Sequence, residues 1–294
     1  MLRQTGLLTL GELDESYFSK VLKSFRQNPE VEYELYTPDQ MAIKFPNLSM
    51  GPSIWGMYDP IAGLIMADKA LKTLWENILA QGVQIKDNCP VKKIIPMTSS
   101  VQVVLVDGTI LVAKSLVVCA GAWTNRILEP LDWKLPLEVI KIPVFYFKSN
   151  GHIPHNFYHQ NENIRVWGTA QLEYPGMNKI CLDTGPIIDP DRRDNVDISR
   201  EKKQLKEFIS SCFPKVESTP SIEESCIFTV SPDLVHILDR HPKYSNIIVG
   251  CGFSGAGFKL GPVTGEILAN MAMNQEQKFD ISHFSAARFT SSRL

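Results

Sequence analysis

The stretch of sequence that decides the fold lies near the C-terminus. It reads Ile247-Ile248-Val249-Gly250-Cys251-Gly252-Phe253-Ser254-Gly255-Ala256-Gly257-Phe258-Lys259. An apolar run typical of a buried strand leads into a glycine-rich turn, and the pattern that follows predicts a helix from Pro262 to Met273. A strand, a glycine turn and a helix in this order can place a ligand at the helix N-terminus.

Two known motifs offer interpretations of this turn. Gly250, Gly252 and Gly255 satisfy the dinucleotide fingerprint G-x-G-x-x-G. That fingerprint opens a strand–helix–strand unit, with an acidic residue about 20 residues later, whereas no strand is predicted after Met273. Ser254 could instead be the nucleophile in the elbow of an α/β-hydrolase.

The hydrolase interpretation offers few candidate triad partners for Ser254. Ala256 occupies the position of the motif's second glycine, and only Asp280 and His283 follow as candidates for a catalytic triad. A third interpretation uses the positive end of the helix dipole, which suits the anionic pyrimidine edge of a reduced flavin. A tight turn without any ligand is the remaining alternative.

The rest of the chain alternates between two kinds of pattern. One strand is predicted over residues 4–10, a capped helix after Thr37, a helix over residues 68–81, and a strand beginning at Val83. A hairpin over residues 101–112 and a buried strand over residues 116–120 then indicate a nucleotide-binding α/β lobe. Residues 135–230 instead predict a mostly antiparallel sheet with one amphipathic helix, which is typical of a substrate-binding lobe.

Composition excludes several classes of partner. The net charge of −2 gives no electrostatic basis for binding nucleic acid or anionic membranes. No apolar run approaches the roughly 18 residues that a membrane span needs. The six cysteines form no C-x-x-C pair, so neither a metal site nor a disulfide framework is predicted. The final tripeptide, Ser292-Arg293-Leu294, resembles the address read by the peroxisomal import receptor.

Several blocks of the sequence resemble one family. Gly252-Phe253-Ser254-Gly255 and Gly257-Phe258-Lys259 resemble the C-terminal flavin motif of the FAD-dependent amine oxidases, which include the monomeric sarcosine oxidases and the peroxisomal sarcosine and pipecolate oxidases. The likeness covers essentially the whole chain. Blocks in the same order are Arg3-Gln4-Thr5-Gly6 with Gly11, Ala120-Gly121-Ala122-Trp123-Thr124, Ser225-Cys226-Ile227-Phe228-Thr229, Ser231-Pro232-Asp233 and Ile237-Leu238-Asp239-Arg240-His241-Pro242.

The resemblance implies a reaction and a set of site residues. A hydride equivalent would pass from the C–H beside a secondary amine to FAD, and oxygen would be reduced to hydrogen peroxide. Cys226 would carry the flavin through a thioether, Lys259 would pair with the substrate carboxylate, and Lys179 would assist oxygen reduction. The other implied cofactor contacts are Val91, Ala120, Gly121, Trp123, Gly252, Phe253, Ser254, Gly255 and Gly257.

Three positions depart from the family pattern. Asp183 stands where the family has an active-site histidine, Ala256 replaces a histidine of the glycine turn, and Phe228 replaces a tyrosine beside the attachment cysteine. We therefore expect Phe228 and Ala256 to line the substrate site and Asp183 to take the catalytic position. A carboxylate there would disfavour a substrate carboxylate close by, which leaves the substrate open among sarcosine, pipecolate, proline and related amines.

The resemblance also implies the domain organisation. The expected fold is α/β plus α+β, in which a Rossmann-like FAD-binding lobe is interleaved with an antiparallel-sheet substrate lobe. Residues 63–134 and 231–294 would form the FAD lobe, and residues 1–62 and 135–230 the substrate lobe. In the family about 80 residues with the true G-x-G-x-x-G precede the strand that Thr5-Gly6 resembles, so the expectation is a truncated chain that is poorly active or inactive. The alternative is a non-catalytic binding or scaffold protein of the same fold.

Overall fold

The computed structural model describes residues 1–150, 153, 156–169, 171 and 173–289. The chain divides into two compact units. The first contains Met1–Ala70, Lys141–Pro186 and Arg192–Cys226, and the second contains Leu71–Ile140, Ile187–Asp191 and Ile227–Leu294. The chain therefore passes repeatedly between the units. Which unit serves a cofactor and which a substrate stays a prediction.

The helices and strands alternate along the chain. The strands are β1 (Leu2–Gln4), β2 (Leu7–Gly11), β3 (Glu34–Tyr36), β4 (Trp55–Asp59), β5 (Gly63–Ile65), β6 (Val91–Pro96), β7 (Val101–Leu105), β8 (Ile110–Ala113), β9 (Leu116–Val118), β10 (Glu138–Lys148), β11 (Asn156–Gln160), β12 (Arg165–Thr169), β13 (Met177–Leu182), β14 (Ile222–Val230), β15 (Ile237–Arg240) and β16 (Ile247–Cys251). The α-helices are α1 (Ser16–Gln27), α2 (Pro38–Lys44), α3 (Ala67–Ala80), α4 (Thr124–Leu128), α5 (Ser199–Cys212) and α6 (Gly257–Met273).

The first unit is built on an eight-stranded sheet. Its strand order is β14-β10-β13-β12-β11-β2-β4-β3. The pair β11–β2 is parallel, whereas β10–β13, β12–β13 and β2–β4 are antiparallel, which confirms the mostly antiparallel pattern. One face is apolar and packs against α5, whose Leu205 and Ile209 are buried with Phe145 and Phe157 of the sheet. The opposite face carries Lys179 together with a smaller buried cluster of Val144, Tyr146 and Cys181, and we term it the polar face.

Helix α2 shows how a local sequence signal fixes an element. The hydroxyl of Thr37 accepts a hydrogen bond from the backbone N–H of Gln40, and the amide oxygen of Gln40 accepts one from the backbone N–H of Thr37. Pro38 stands at the first helical position, where its missing N–H costs nothing. The capping box predicted from the sequence is thus confirmed.

The second unit contains two three-stranded sheets. In the first, β16 lies between β15 and β9, with β9–β16 parallel and β15–β16 antiparallel. Ile247 and Val249 of β16 are fully buried, and Leu268 of α6 packs beside Ile248. The second sheet consists of β6, β7 and β8, and its β7–β8 hairpin turns at Asp107 and Gly108 as predicted. Strand β16 is therefore a central, buried element, as its apolar run indicates.

Three local expectations need correction. Residues 83–87 form no strand, and the next strand begins at Val91. The single strand expected over residues 4–10 is two strands, because Gly6 adopts φ +71° between them. Helix α6 begins at Gly257 and keeps Pro262 inside it. Helix α3 forms as predicted, but its apolar stripe is exposed, with Leu71 at 57% and Trp75 at 47%.

Among the described residues, none of the helices has the length and apolar character needed to cross a membrane.

The stability of the first unit should depend on the charge of His159. This ring is 3% exposed, its Nδ1 lies 3.1 Å from the carbonyl oxygen of Leu10, and it stacks on Phe208. Burial lowers the pKa of His159 below its usual value of about 6.5. The unfolded chain then binds this proton more readily, so stability is complete above about pH 6.5 and is lost as the pH falls through the lower pKa of the folded state.

We therefore expect His159→Gln to flatten the decline in the free energy of unfolding between about pH 7 and pH 5. Urea unfolding at half-unit pH steps measures this slope for both proteins. Equal slopes for the variant and the parent would show that His159 does not control the acid sensitivity.

Candidate functional site

The glycine turn after β16 adopts backbone conformations that most residues avoid. Gly252 has φ +66° and Gly255 has φ +88°, values that glycine reaches without a steric penalty. Ser254 lies between them with φ +50°, although it carries a side chain. The turn thus contains three left-handed residues within four positions, and its shape depends on the contacts that hold Ser254.

Hydrogen bonds tie Ser254 to the strand beside it. Its backbone N–H donates to the carbonyl oxygen of Thr229 at 3.0 Å. Its hydroxyl donates to the carbonyl oxygen of Gly252 at 3.1 Å and accepts from the backbone N–H of Ser231 at 3.2 Å. Phe253 forms a bridge with Val230. The turn is therefore bound along the end of β14.

This attachment places the glycine turn against Phe228 of β14. A Cβ added at Gly255 would stand 2.7 Å from the ring of Phe228. Phe228 is two residues from Cys226, and both belong to β14. The glycine turn thus contacts the same strand that carries the Ser225–Thr229 block.

Helix α6 begins directly after the turn. Its N-cap is Ala256, which has no side chain able to cap the first backbone N–H groups. Lys259 lies in the first turn of the helix and is exposed. An uncapped helix N-terminus beside a cation is complementary to a negatively charged group, so this end of α6 fits the anionic edge of a flavin.

Two of the alternative interpretations find no support in the described residues. The hydroxyl of Ser254 bonds to Gly252 and Ser231, whereas the ring of His283 contacts Phe284 and Asp280 accepts from Ser282. This arrangement is not a catalytic triad. No strand follows α6 among the described residues, which end at 289, so the turn does not open the strand–helix–strand unit of a dinucleotide fingerprint.

A second turn of open backbone follows β9. Ala120 leads into Gly121, which has φ +51° and nothing within 4 Å of the position of a Cβ. Trp123 is 40% exposed, and its indole N–H donates to Asp191 at 2.8 Å. This turn has room for a close ligand. Val91 lies elsewhere, as the exposed first residue of β6.

In the first unit, Lys179 stands on the polar face of the large sheet. Both carboxylate oxygens of Glu173 accept hydrogen bonds from its ammonium at 3.1 Å. The ammonium also lies 5.4 Å from the ring centre of Tyr146, the residue opposite it on β10, and 5.9 Å from that of Trp167. The side chain is only 18% exposed, so the cation is held among aromatic rings and is not a solvated surface lysine.

Tyr146 links this lysine to a second carboxylate. Its hydroxyl lies 2.6 Å from Glu173 and 3.3 Å from Glu224, and the hydroxyl of Tyr174 donates to Glu224 at 2.8 Å. Burial, together with both carboxylates, raises the pKa of Tyr146. The phenol therefore stays protonated and acts as a hydrogen-bond donor between the two acids.

Cys226 lies two residues after Glu224 on β14, so both side chains point to the same face of the sheet. The residue is exposed, yet burial of its sulfur raises the pKa of the thiol. Lys179 opposes this increase, whereas Glu224 and Glu173 add to it. The structure thus brings Cys226 and Lys179 into one electrostatic neighbourhood.

Asp183 lies just beyond β13, where its backbone N–H donates to the carbonyl oxygen of Arg165 at 2.9 Å. Its charge helps to raise the pKa of Tyr158, which is raised mainly by burial, and in the same way that of Tyr17. The two tyrosine rings are 5.0 Å apart. Asp183 therefore sits beside an aromatic pair at the end of the polar face.

Sequence analysis did not identify the acids and aromatic residues around Lys179. Glu173, Glu224 and Tyr146 lie in no recognisable motif, and only the pairing of β10 with β13 brings Tyr146 opposite Lys179. The alternation of side chains along each strand was the one available signal, and it gives no register between strands.

The strained turn generates a prediction. Gly255→Ala would force a Cβ against the Phe228 ring at a left-handed position, so we expect a loss of about 1–3 kcal/mol in the free energy of unfolding. Gly261→Ala is a matched control, because this helical position of α6 has nothing within 4 Å. It should be neutral or stabilise by up to about 1 kcal/mol. Urea unfolding measures both, and equal effects would contradict the assigned strain.

Comparison with known proteins identifies relatives over nearly the whole chain. The chain is 34% identical to human peroxisomal sarcosine oxidase over 310 residues, covering 98% of this chain and 76% of the relative. It is 28% identical to monomeric sarcosine oxidase from Bacillus sp. strain NS-129, covering 97% and 76%.

A solved structure shows the same fold. NikD, described as an unusual amino acid oxidase essential for nikkomycin biosynthesis, aligns with a TM-score of 0.83 at 20% identity, covering 97% of this chain and 77% of that chain. The mixed α/β fold is therefore that of FAD-dependent oxidases. Residues 1–271 match the family of FAD dependent oxidoreductases, and with the 34% identity to human peroxisomal sarcosine oxidase this match confirms the predicted resemblance. The chain belongs to the FAD dependent oxidoreductases and has sarcosine oxidases among its relatives.

Proposed function

We propose that this protein oxidises a secondary amine or an N-methyl amino acid to an imine and reduces oxygen to hydrogen peroxide. The observation that carries this proposal is the contact between the glycine turn and β14, where Gly255 packs on Phe228, two residues from Cys226. The family membership and the sarcosine oxidase relatives support the substrate class.

FAD is the cofactor that the family uses. When bound, it would supply the two-electron chemistry, accepting electrons from the amine and passing them to oxygen. The residues that would hold it are the turn from Gly252 to Gly257, the open turn from Ala120 to Trp123, and Val91. The uncapped start of α6 fits an anionic group, and the empty space at Gly121 allows a close approach.

The charged side chains would bind and orient the reactants. Lys259, at the start of α6, would pair with the substrate carboxylate. Lys179, held by Glu173, would stabilise the negative charge that develops on oxygen, because a preorganised cation lowers the energy of such a charge. Phe228 and Ala256 would line the substrate site.

Asp183 would set the substrate preference. Its charge acts on Tyr158 and Tyr17, so it would disfavour a second anion near this end of the polar face and favour a cationic amine. Secondary amines would therefore be preferred over acidic amino acids as substrates.

The proposed location is the peroxisome. The tripeptide Ser292-Arg293-Leu294 lies outside the described residues, and its similarity to an import address supports the assignment. The name of the human relative, peroxisomal sarcosine oxidase, agrees with this location.

A covalent link between Cys226 and the flavin can be tested by following the yellow colour of the flavin. We expect the FAD-loaded protein to remain yellow after acid precipitation and Cys226→Ser to release the flavin into the supernatant, because serine cannot form a thioether. Absorbance of pellet and supernatant near the flavin band measures this. Cys89→Ser is the control and should keep the colour in the pellet. Colour retained in the Cys226→Ser pellet would refute the attachment.

Oxygen consumption tests the reaction itself. We expect uptake with at least one of sarcosine, pipecolate and proline, together with an equal amount of peroxide, and Lys179→Met should slow uptake by about a hundredfold or more, as the loss of one charge-stabilising group commonly does. Protein that binds FAD but consumes no oxygen with any secondary amine would instead support a non-catalytic binding protein of this fold.

A further inference from the structure

The strained glycine turn depends on the loop that follows β14. Ser254 is held in its left-handed conformation partly by the backbone N–H of Ser231, which donates to its hydroxyl. Ser231 in turn donates its own hydroxyl to the carbonyl oxygen of Val235 at 2.7 Å. The ring of His236 stacks on Phe253 of the turn, 5.4 Å away and 17° from parallel. The loop from Ser231 to His236 is thus the outer wall of the turn.

This loop is fastened by residues from the C-terminal end of the described chain, Ser282–Phe289, which we term the C-terminal strap. The guanidinium of Arg288 donates to both carboxylate oxygens of Asp233, at 2.7 and 3.2 Å, and to the carbonyl oxygen of Val235 at 2.7 Å. The Arg288 side chain is 17% exposed. This pair lowers the pKa of Asp233 to about 2, so the carboxylate is charged throughout the physiological range.

Two further contacts fix the strap. The ring of Phe284 stacks at 4.3 Å on His236, the residue whose ring also stacks on Phe253 of the turn. Asp239 of β15 accepts from the hydroxyl of Ser285 and from the backbone N–H of Ala286, both at 2.8 Å. His236 therefore lies in a stack between Phe253 of the turn and Phe284 of the strap, and the strap itself is anchored to the sheet.

We propose that Arg288 is a positioning residue for the glycine turn, and that the C-terminal strap holds this turn in the shape that receives the flavin. The bonds of Arg288 given above reach the loop, so it acts on the turn through Asp233, Ser231 and His236. The inference rests on the proposed function only in assigning FAD to the turn. A left-handed serine persists only when its surroundings hold it, and the strap is the outermost part of those surroundings.

The test measures flavin affinity without the covalent bond. In the Cys226→Ser background, FAD titrated into flavin-free full-length protein is followed by quenching of flavin fluorescence. We expect Arg288→Met to raise the dissociation constant about tenfold or more, and Asp233→Asn to act similarly. The double variant should be no worse than the poorer single variant, because both remove one interaction.

Arg240→Met is the matched control. Arg240 belongs to the same unit and bonds the opposite end of α6, through the carbonyl oxygen of Met271 and the side chain of Asn274. It should lower the melting temperature by a similar amount but leave the dissociation constant within about twofold. If Arg240→Met weakened FAD binding as much as Arg288→Met, the effect would be general destabilisation and the proposal would be wrong.

A second measurement separates this inference from the proposed function. Hydrogen exchange of flavin-free protein reports on the amides of residues 252–256 directly. Arg288→Met should speed their exchange several-fold and Arg240→Met should not. If the parent binds no FAD, the proposed function fails while this result still tests the strap, and unchanged exchange in Arg288→Met would overturn the positioning role.

Discussion

A serine in a left-handed conformation is strained and must be stabilised by contacts with its neighbours. Ser254 has this conformation and lies between two left-handed glycines, Gly252 and Gly255. The hydrogen bonds from Thr229, Ser231 and Gly252 hold it there. The bonds with Thr229 and Ser231 require the end of β14 and the residue after it to run alongside the turn. The same alignment brings the ring of Phe228 against Gly255. The strained backbone of the turn therefore determines that Phe228 of β14 packs beside the start of α6.

The polar face of the large sheet follows a different constraint, the compensation of charge. Lys179 is mostly withdrawn from water and is matched by the carboxylate of Glu173. Glu173 and Glu224 in turn share the hydroxyl of Tyr146, and Glu224 also accepts a hydrogen bond from Tyr174. A buried or half-buried charge is tolerated when it is paired and hydrogen-bonded. The face can therefore present a cation without leaving it mobile, which is a condition for electrostatic stabilisation of a developing negative charge.

The features that could be predicted from the sequence are those fixed by residues close together in the chain. The Thr37 capping box, the Asp107-Gly108 hairpin and the buried strand β16 all depend on neighbouring residues, and the sequence predicted them. The strand predicted to begin at Val83 does not form, because apolar and polar residues alternate there over too few positions to specify a strand. The resemblance supplied Cys226 and Lys179 as candidates. Neither source could supply Glu173, Tyr146 or Arg288, since strand register and the course of the C-terminal strap bring their partners together.

The environment of Cys226 bears on how its thiol survives before the proposed thioether to the flavin has formed. The thiolate, not the thiol, is the form that peroxide oxidises. Burial raises the pKa of Cys226, and this effect outweighs the opposing effect of Lys179 and Arg193, so the net shift favours the thiol. An exposed cysteine on an open sheet face would otherwise be a ready target for oxidation. Burial of the sulfur, to which the glutamates that hold Lys179 and Tyr146 add, thus keeps Cys226 in the less reactive thiol form.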